Sequence, residues 1–277
     1  MGAEEEIRRQ STNEEGIQVV DANGTALATF VATGRSDLQS FTSEYEIFRG
    51  ALAKIFIDPI VKQLKLIFNE SGDHYEQRDE RVVVTFAKSK EVKTFDLLVA
   101  ADALGSIIRG MMLKSSPQEH FIDEGIHAAY FTIKSDLLQG DRLAKGLNTS
   151  GCRAIYLRPD PDPAGRTRGN LVVVSTRGDV KRKERLNKAL RDGNESYMKL
   201  MEEMFEDSGW VALEVLQGMR ESDDFYCSPV GQIRSPKLHD GRVVLLGDAG
   251  YATPGFGTSL ALIGGYVLAG RATESSG

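Results

Sequence analysis

The segment RVVLLGDAGYATPGFGTSLALIGGYVLAG, residues 242–270, constrains the fold more than any other part of the chain. An apolar run, a glycine-rich stretch and a second apolar run predict a buried strand, a loop and a helix. Gly247 and Asp248 follow the strand directly, and in open α/β sheets ligands bind at the carboxyl ends of strands. The loop therefore either joins two core elements or brings the backbone close to a ligand.

The residues of this loop are compatible with a flat ligand that carries hydroxyl groups. Gly255 and Gly257 have no Cβ, so a flat ligand can lie against the backbone and accept its hydrogen bonds. Pro254 would stiffen the approach, and the carboxylate of Asp248 accepts hydrogen bonds from hydroxyls. A helix from Thr258 begins with unpaired N–H groups and a partial positive charge. The alternative is that Thr258 caps a core helix and the glycines only form the turn.

The middle of the chain has two further patterns. Residues 121–180 contain the runs IHAAYFTIK, CRAIYLRPD and NLVVVSTRG, which predict strands. The turn-rich stretch RPDPDPAGRTRG predicts a long hairpin between the last two runs. Residues 181–217 have the periodicity of amphipathic helices.

The first part of the chain mixes helices and strands. GIQVVDANGTALATFV predicts two strands joined by a turn at Asp21–Gly24. KLIFNE and RVVVTFA predict strands, with SGDHYEQRDE as a polar connector between them. The run Asp96–Ala101 is apolar without alternation, which predicts a strand covered on both faces.

Composition excludes several function classes. The formal net charge is −6, so a general nucleic-acid surface, which needs a basic face, is not expected. Two cysteines, and four histidines without ligand spacing, predict neither a disulfide framework nor a metal site. The polar N-terminus is no secretory signal, and no apolar run approaches the length of about 20 residues that a membrane span needs. We expect a soluble cytoplasmic protein.

Three segments, taken together, carry a resemblance to one family. RVVLLGDAGYATPGFGTSLALIGGYVLAG resembles the GD motif of FAD-dependent monooxygenases of the aromatic-hydroxylase type. FDLLVAADALGSIIR, residues 95–109, resembles the second internal motif of the same family. SEYEIFRGALAKIF, residues 43–56, resembles the segment that delivers an arginine to the flavin. The likeness spans nearly the whole chain and is greatest with the branch that also resembles tetracycline-modifying monooxygenases.

The resemblance implies a set of residues that contact FAD: Arg49, Asp102, Gly247, Asp248, Pro254, Gly255, Gly257 and Thr258. Arg49 would be a fixed cation near the ribityl and phosphate region. Asp248 would bond the ribityl or ribose hydroxyls, and Asp102 would support the pyrophosphate-side contacts and NADPH binding.

The resemblance also implies how the ring is held. Pro254, Gly255 and Gly257 would line the isoalloxazine. The helix from Thr258 would stabilise the negative charge that develops at the N1–C2=O edge on reduction. NAD(P)H would be the co-substrate, and one oxygen atom would be transferred to the substrate. The flavin does the difficult chemistry, so no side chain is named as catalytic.

The sequence departs from the family pattern in several places. No GxGxxG sequence, which would hold the FAD pyrophosphate, occurs in the chain. The family's Gly-Ala-Asp-Gly reads Ala100-Ala101-Asp102-Ala103, and its usual histidine after the GD motif is Tyr251. Two explanations stay open: a truncated monooxygenase, or a shortened homologue that binds a small molecule without FAD.

The fold expected from these patterns is α/β, an incomplete FAD-binding Rossmann-like layered domain with an inserted β-rich substrate domain. We assign residues 44–115 and 236–277 to the FAD-binding domain. Residues 1–43 and 116–235 form the substrate-binding domain, whose sheet would be one wall of the active site.

The expected function is that of a flavoprotein oxidoreductase of secondary metabolism. It would be an FAD- and NAD(P)H-dependent monooxygenase that hydroxylates an aromatic or polyketide-like small molecule. We interpret the aromatic residues Tyr130, Phe131 and Tyr156 as strand packing, not as a surface for substrate stacking.

Overall fold

The structure is a computed structural model that describes residues 2–12, 14–33, 35, 46–162 and 165–274. The chain divides into two compact units, a larger one of residues 1–65 with 125–229 and a smaller one of residues 66–124 with 230–277. The predicted boundary between residues 43 and 44 lies outside the described residues, as do residues 43–45 of the arginine-bearing segment. The units separate after residue 65, so the helix that carries Arg49 groups with the larger unit and not with the predicted cofactor domain.

In chain order the elements are α1 (Ala3–Arg9), β1 (Gly16–Val20), β2 (Ala26–Val31), α2 (Arg49–Ile57), β3 (Gly72–Arg78), β4 (Arg81–Phe86), β5 (Val92–Phe95), β6 (Leu98–Ala100), α3 (Ile107–Leu113), β7 (Phe121–Ile133), β8 (Leu143–Thr149), β9 (Arg153–Pro159), β10 (Thr167–Val174), α4 (Val180–Asp192), α5 (Asn194–Phe205), α6 (Ala212–Arg220), β11 (Tyr226–Ile233), β12 (His239–Asp240), β13 (Val243–Leu245), α7 (Asp248–Tyr251) and α8 (Gly257–Glu274). The unit boundaries at 124/125 and 229/230 fall within β7 and β11.

The larger unit is built on a seven-stranded sheet with the order β11-β7-β10-β9-β8-β1-β2. Strands β7, β10, β9 and β8 pair antiparallel in succession, whereas β1 is parallel to β8 and antiparallel to β2. The predicted β-rich region, the long hairpin and the turn at Asp21–Gly24 are therefore confirmed. The mixed α/β class is confirmed as well.

One face of this sheet is closed by helices. Side chains alternate between the two faces of a strand, so every second residue of β7, β9 and β10 points to the same side. On one side they form a core with α4, α5 and α6 that includes Ala129, Phe131, Ile155, Leu157, Leu171, Val173, Leu186, Met201, Phe205, Val215 and Met219. The intervening residues face the other side of the sheet, which is free to line a cavity.

The only tryptophan of the chain, Trp210, ties the β1–β2 turn to the helical layer. Its backbone N–H donates to the carbonyl of Ala22 at 2.5 Å. Gly24 has a φ of +82°, and a Cβ there would lie 2.8 Å from Cδ1 of the indole. The turn therefore needs glycine for its conformation and for the approach of the indole ring.

The smaller unit contains two three-stranded sheets, β12-β13-β6 and β3-β4-β5. Strand β13 runs parallel to β6 and antiparallel to β12. The core of this unit is formed by Val82, Val84, Ala100, Ile108, Met112, Val243 and Leu245. Among the described residues, no helix combines the length and the hydropathy that a membrane crossing requires.

Three local predictions in the smaller unit are wrong. SGDHYEQRDE contains β3, which is an edge strand. Its side chains are polar and face solvent, so its sequence resembles that of a connector. KLIFNE forms no strand. The strand predicted at Asp96–Ala101 is shorter, and Val99 within it is 38% exposed, so β6 is not covered on both faces by the described residues.

Candidate cofactor and substrate sites

Asp102 and Asp248 follow two neighbouring parallel strands. Val243 is in register with Leu98, and the N–H of Leu246 donates to the carbonyl of Ala100 at 2.8 Å. The carboxyl ends of β6 and β13 therefore lie side by side, and each is followed within two to three residues by an aspartate. The structure brings the segments 95–109 and 242–270 together at one edge of the sheet.

Arg109 joins these two segments. Its side chain is fully buried and donates to three backbone carbonyls, those of Ala249 (2.7 Å), Leu104 (2.7 Å) and Pro117 (2.5 Å). Burial lowers the pKa of the guanidinium, and the charge of Asp102 partly opposes that shift. The sequence predicts no role for Arg109. Two of its acceptors are five and eight residues away, but Ala249 is 140 residues away, and no local pattern could reveal that contact.

Gly247 forms the sharp turn between β13 and α7. Its φ of 61° and ψ of −136° define a conformation that essentially only glycine adopts. A Cβ at this position would also lie 3.3 Å from Cβ of Ala261 in α8. The backbone thus turns directly from the strand into Asp248, as the sequence predicts.

The start of α8 leaves open space beside Asp248. Asp248 is exposed, and a Cβ on Gly257 would lie 3.2 Å from its Oδ1. Gly255 has a φ of +81°, and no atom lies within 4 Å of the position that its Cβ would take. Pro254 is half-buried and Thr258 is exposed. The exposed carboxylate of Asp248 therefore lies against the N-terminus of an 18-residue helix, and no side chain covers the backbone at Gly255.

Ala103 occupies a backbone conformation that suits glycine. Its φ is 64°, in the left-handed region, and the N–H of Ser106 donates to its carbonyl at 3.2 Å. This is the position at which the family pattern has the second glycine of Gly-Ala-Asp-Gly. A Cβ in left-handed backbone is strained by about 1–2 kcal/mol.

We expect Ala103→Gly to stabilise the protein. Relief of the strain exceeds the entropy that an added glycine costs, which leaves a gain of about 0.5–1 kcal/mol in the free energy of unfolding. Urea denaturation followed by circular dichroism measures it. Ala87→Gly, at a residue of the same unit that does not have positive φ, is the control and should destabilise or be neutral. Equal effects at both positions would contradict the assignment of strain to residue 103.

A cavity of about 1240 Å³ lies within the larger unit, on the sheet face opposite the helices. It is lined by Glu14, Ile17, Glu46, Ile47, Phe48, Arg49, Gly50, Ala51, Tyr130, Phe131, Ala144, Tyr156, Arg158, Asp160, Pro161, Asp162, Arg166, Arg168, Gly169, Asn170, Asp224 and Tyr226. The sequence predicts a substrate site against this sheet, but of the charged lining residues only Arg49 is predicted as a site residue, and as a contact of FAD.

Two arginines that face each other on neighbouring strands organise the charge of the cavity. Arg158 of β9 and Arg168 of β10 are register partners. Arg158 donates to Glu14 (2.8 Å) and Glu46 (2.5 Å). Its charge opposes the effect of burial, which raises the pKa of Glu14.

Arg168 is neutralised in the same manner. It donates to Asp160 at 2.6 Å and to Asp224 at 3.0 Å, and its guanidinium lies 4.6 Å from the ring centre of Phe48. Burial acts to raise the pKa of Asp224, but hydrogen bonds from Thr132 and Ser222 outweigh it and the pKa is lowered. Both arginines are thus engaged by carboxylates of the protein itself.

Arg49 is the one predicted site residue that belongs to the larger unit. It is the first residue of α2, is exposed, and lines the cavity of the larger unit. Burial raises the pKa of the neighbouring Tyr226 hydroxyl, and the positive charge of Arg49 opposes that shift. The seven other predicted residues belong to the smaller unit.

The aromatic residues of β7 and β9 divide between the two faces of the sheet. Phe131 is 3% exposed and belongs to the core, in agreement with the packing interpretation. Tyr130 and Tyr156 line the cavity instead. Tyr130 stacks on Tyr226, with ring centres 4.8 Å apart and an interplanar angle of 13°. The cavity therefore has aromatic as well as charged walls.

Comparison with known proteins identifies related chains. No family model matches. The FAD-dependent monooxygenase asL4 of Sarocladium schorii is 30% identical over 290 residues, which cover 100% of this chain and 64% of the relative. Monooxygenase CTB7 of Cercospora beticola is 30% identical over 285 residues, which cover 99% of this chain and 67% of the relative.

A solved structure agrees with these relatives. Tetracycline destructase Tet(51) has a TM-score of 0.80 and 26% identity, and the match covers 100% of this chain and 68% of that one. This chain thus spans about two thirds of the length of the proteins it matches.

Proposed function

The chain belongs to the family of FAD-dependent monooxygenases, and on this basis we propose that it binds FAD, takes electrons from NAD(P)H and transfers one oxygen atom to an aromatic or polyketide-like small molecule. The observation that carries the proposal is the pair of aspartates at the adjacent ends of β6 and β13. Ligands of open α/β sheets bind at this edge.

The residues of the smaller unit fit the ribityl and ring part of FAD. The exposed carboxylate of Asp248 is an acceptor for ribityl hydroxyls, and the missing side chain of Gly257 leaves room beside it. Asp102 would serve the pyrophosphate side; its Oδ2 already accepts a long hydrogen bond (3.4 Å) from the N–H of Ile108. Arg49 is proposed as a cation for the ribityl and phosphate region.

The contribution of the chain is to bind, orient and polarise. FAD, when bound, supplies the redox chemistry and the transfer of one oxygen atom. The N-terminus of α8, with Thr258 in its first turn, offers N–H donors and partial positive charge to the N1–C2=O edge of the ring. Pro254 and Gly255 would line the face of the ring next to this edge.

The cavity of the larger unit supports a small-molecule substrate. Its volume of about 1240 Å³ exceeds the roughly 300–1,000 Å³ of common ligand pockets. Its walls combine tyrosine rings with polar groups that can orient a ligand. An aromatic or polyketide-like substrate, larger than a single ring, fits both the size and the chemistry.

A second candidate function is non-redox binding of a small molecule. All residues that line the cavity belong to the larger unit, and Arg49 is the one predicted FAD residue among them. Such a protein would hold its ligand without a flavin.

Titration of the purified chain with FAD separates the two functions. The monooxygenase proposal expects the absorbance of oxidised flavin to co-elute with the protein after FAD addition, and NAD(P)H oxidation to follow. A colourless protein that ignores FAD, yet gains thermal stability with an aromatic ligand, would contradict the monooxygenase and favour the non-redox binder.

A further inference from the structure

The ring of Tyr156, which lines the cavity, lies next to a glycine of the neighbouring strand. Tyr156 of β9 is in register with Gly146 of β8. A Cβ on Gly146 would lie only 2.8 Å from Cε1 and 2.9 Å from Cδ1 of the tyrosine. The ring therefore occupies the place of the missing side chain, and its hydroxyl points along the sheet toward Oδ1 of Asn148, 3.5 Å away.

The contact with Gly146 is made by the Cδ1–Cε1 edge of the ring, and the ring is accessible from the cavity. Tyr156 is 36% exposed and lines the cavity. A flat aromatic ligand can stack on such a ring, a contact worth about 0.5–1.5 kcal/mol beyond its buried area.

Asn170 offers a hydrogen-bond acceptor next to this ring. It is the register partner of Tyr156 on one side and of Tyr130 on the other. Its Nδ2 donates to the carbonyl of Ala129 at 2.8 Å. Because a carbonyl oxygen only accepts, this bond fixes the orientation of the amide. No described residue donates to Oδ1 of Asn170, which lines the cavity as a free acceptor.

The arginines of the sheet next to Asn170 are not open to a ligand. Arg158 and Arg168 are already paired with carboxylates, so an anionic ligand at either would have to displace Glu14, Glu46, Asp160 or Asp224. The exposed Arg49 of α2 also lines the cavity. A ligand hydroxyl, by contrast, meets an acceptor that has no partner among the described residues.

We infer that Tyr156 and Asn170 are the specificity-determining residues of this cavity and select a planar, fused-ring aromatic that carries a hydroxyl group. The inference rests on the proposal that the cavity receives the substrate. Tyr156 supplies the stacking surface, and Asn170 discriminates between hydroxyl and ether. An ether leaves Oδ1 unpaired at the interface, and an unpaired buried acceptor is costly.

Binding of a naphthalenediol and of its dimethyl ether tests this inference. Fluorescence titration of the purified full chain gives both dissociation constants, without FAD and again with excess FAD. We expect the native protein to bind the diol about tenfold more tightly than the ether. The titration without FAD measures binding to the cavity alone. If the protein fails to bind FAD, the monooxygenase proposal is refuted, whereas the measured preference for the diol still tests the roles of Tyr156 and Asn170.

Four variants assign the effect to particular atoms. Tyr156→Phe keeps the ring and should stay close to native, whereas Tyr156→Ala should weaken both probes by about tenfold. Gly146→Ala keeps the tyrosine but displaces its ring and should also weaken both. Asn170→Leu should bring the diol and the ether to similar affinities. Circular dichroism of each variant verifies the fold.

Two results would overturn the inference. One is a native protein that binds neither probe, or both equally. The other is a folded Tyr156→Ala variant that binds as tightly as Tyr156→Phe.

Discussion

Replacing Arg109 with methionine is expected to lower the free energy of unfolding by about 3–5 kcal/mol. The guanidinium is completely buried and is the shared donor for the carbonyls of Ala249, Leu104 and Pro117. Methionine fills much of the same volume but leaves those buried carbonyls without this donor. Urea denaturation monitored by circular dichroism measures the loss.

An exposed arginine of the same unit is the matched control. Arg81 lies on β4 and pairs with Asp96 at 3.2 Å, with both side chains more than half exposed. Arg81→Met should change stability by less than about 0.5 kcal/mol, since surface ion pairs contribute little. Arg109→Lys keeps the charge but cannot reach three carbonyls in fixed directions, so it should recover only part of the loss. Equal stability of the Arg81 and Arg109 methionine variants would refute the structural role of Arg109.

Asp248→Ala is expected to weaken FAD binding by about 10- to 100-fold, the loss of one or two hydrogen bonds to a charged acceptor. The carboxylate is exposed and lies beside the first residue of α8. It makes no structural contact that its removal would break among the described residues, so stability should stay nearly unchanged. Fluorescence quenching of added FAD gives the affinity, and thermal melting gives the stability.

Two further variants control for charge and for shape. Asp240→Ala removes an exposed carboxylate of the same unit and should leave FAD affinity unaltered. Asp248→Asn keeps an acceptor oxygen and should retain part of the affinity. An Asp248→Ala variant with native FAD affinity would remove this residue from the proposed site.

Short-range sequence patterns predict the strands and turns whose formation depends on neighbouring residues in the chain. Alternating apolar residues and the Asp21–Gly24 turn predict β1 and β2, and the proline- and glycine-rich connector predicts the β9–β10 hairpin. Gly247 could be predicted as a special turn because it separates an apolar strand from an aspartate. Its φ of 61° is the physical reason for the glycine.

Contacts between distant residues have no such signal. Arg109 donates to the carbonyl of Ala249 in α7, 140 residues away, and Arg158 binds carboxylates from before β1 and before α2. The polar strand β3 has no apolar face to mark it, since its pairing with β4 depends on backbone groups. The exposure of Tyr156 to the cavity has no local signal either, because the residue beside it, Gly146, belongs to the neighbouring strand.

Trp210 gives each of these experiments an internal optical reporter. It is the chain's single tryptophan and lies against the β1–β2 turn of the larger unit, so intrinsic emission senses melting of that unit alone. The substitutions at Arg109 and Asp248 belong to the other unit. If a substitution shifts the denaturation curve measured by circular dichroism but not the curve measured by tryptophan emission, it destabilises the smaller unit and not the larger one, and no added label is needed to show this.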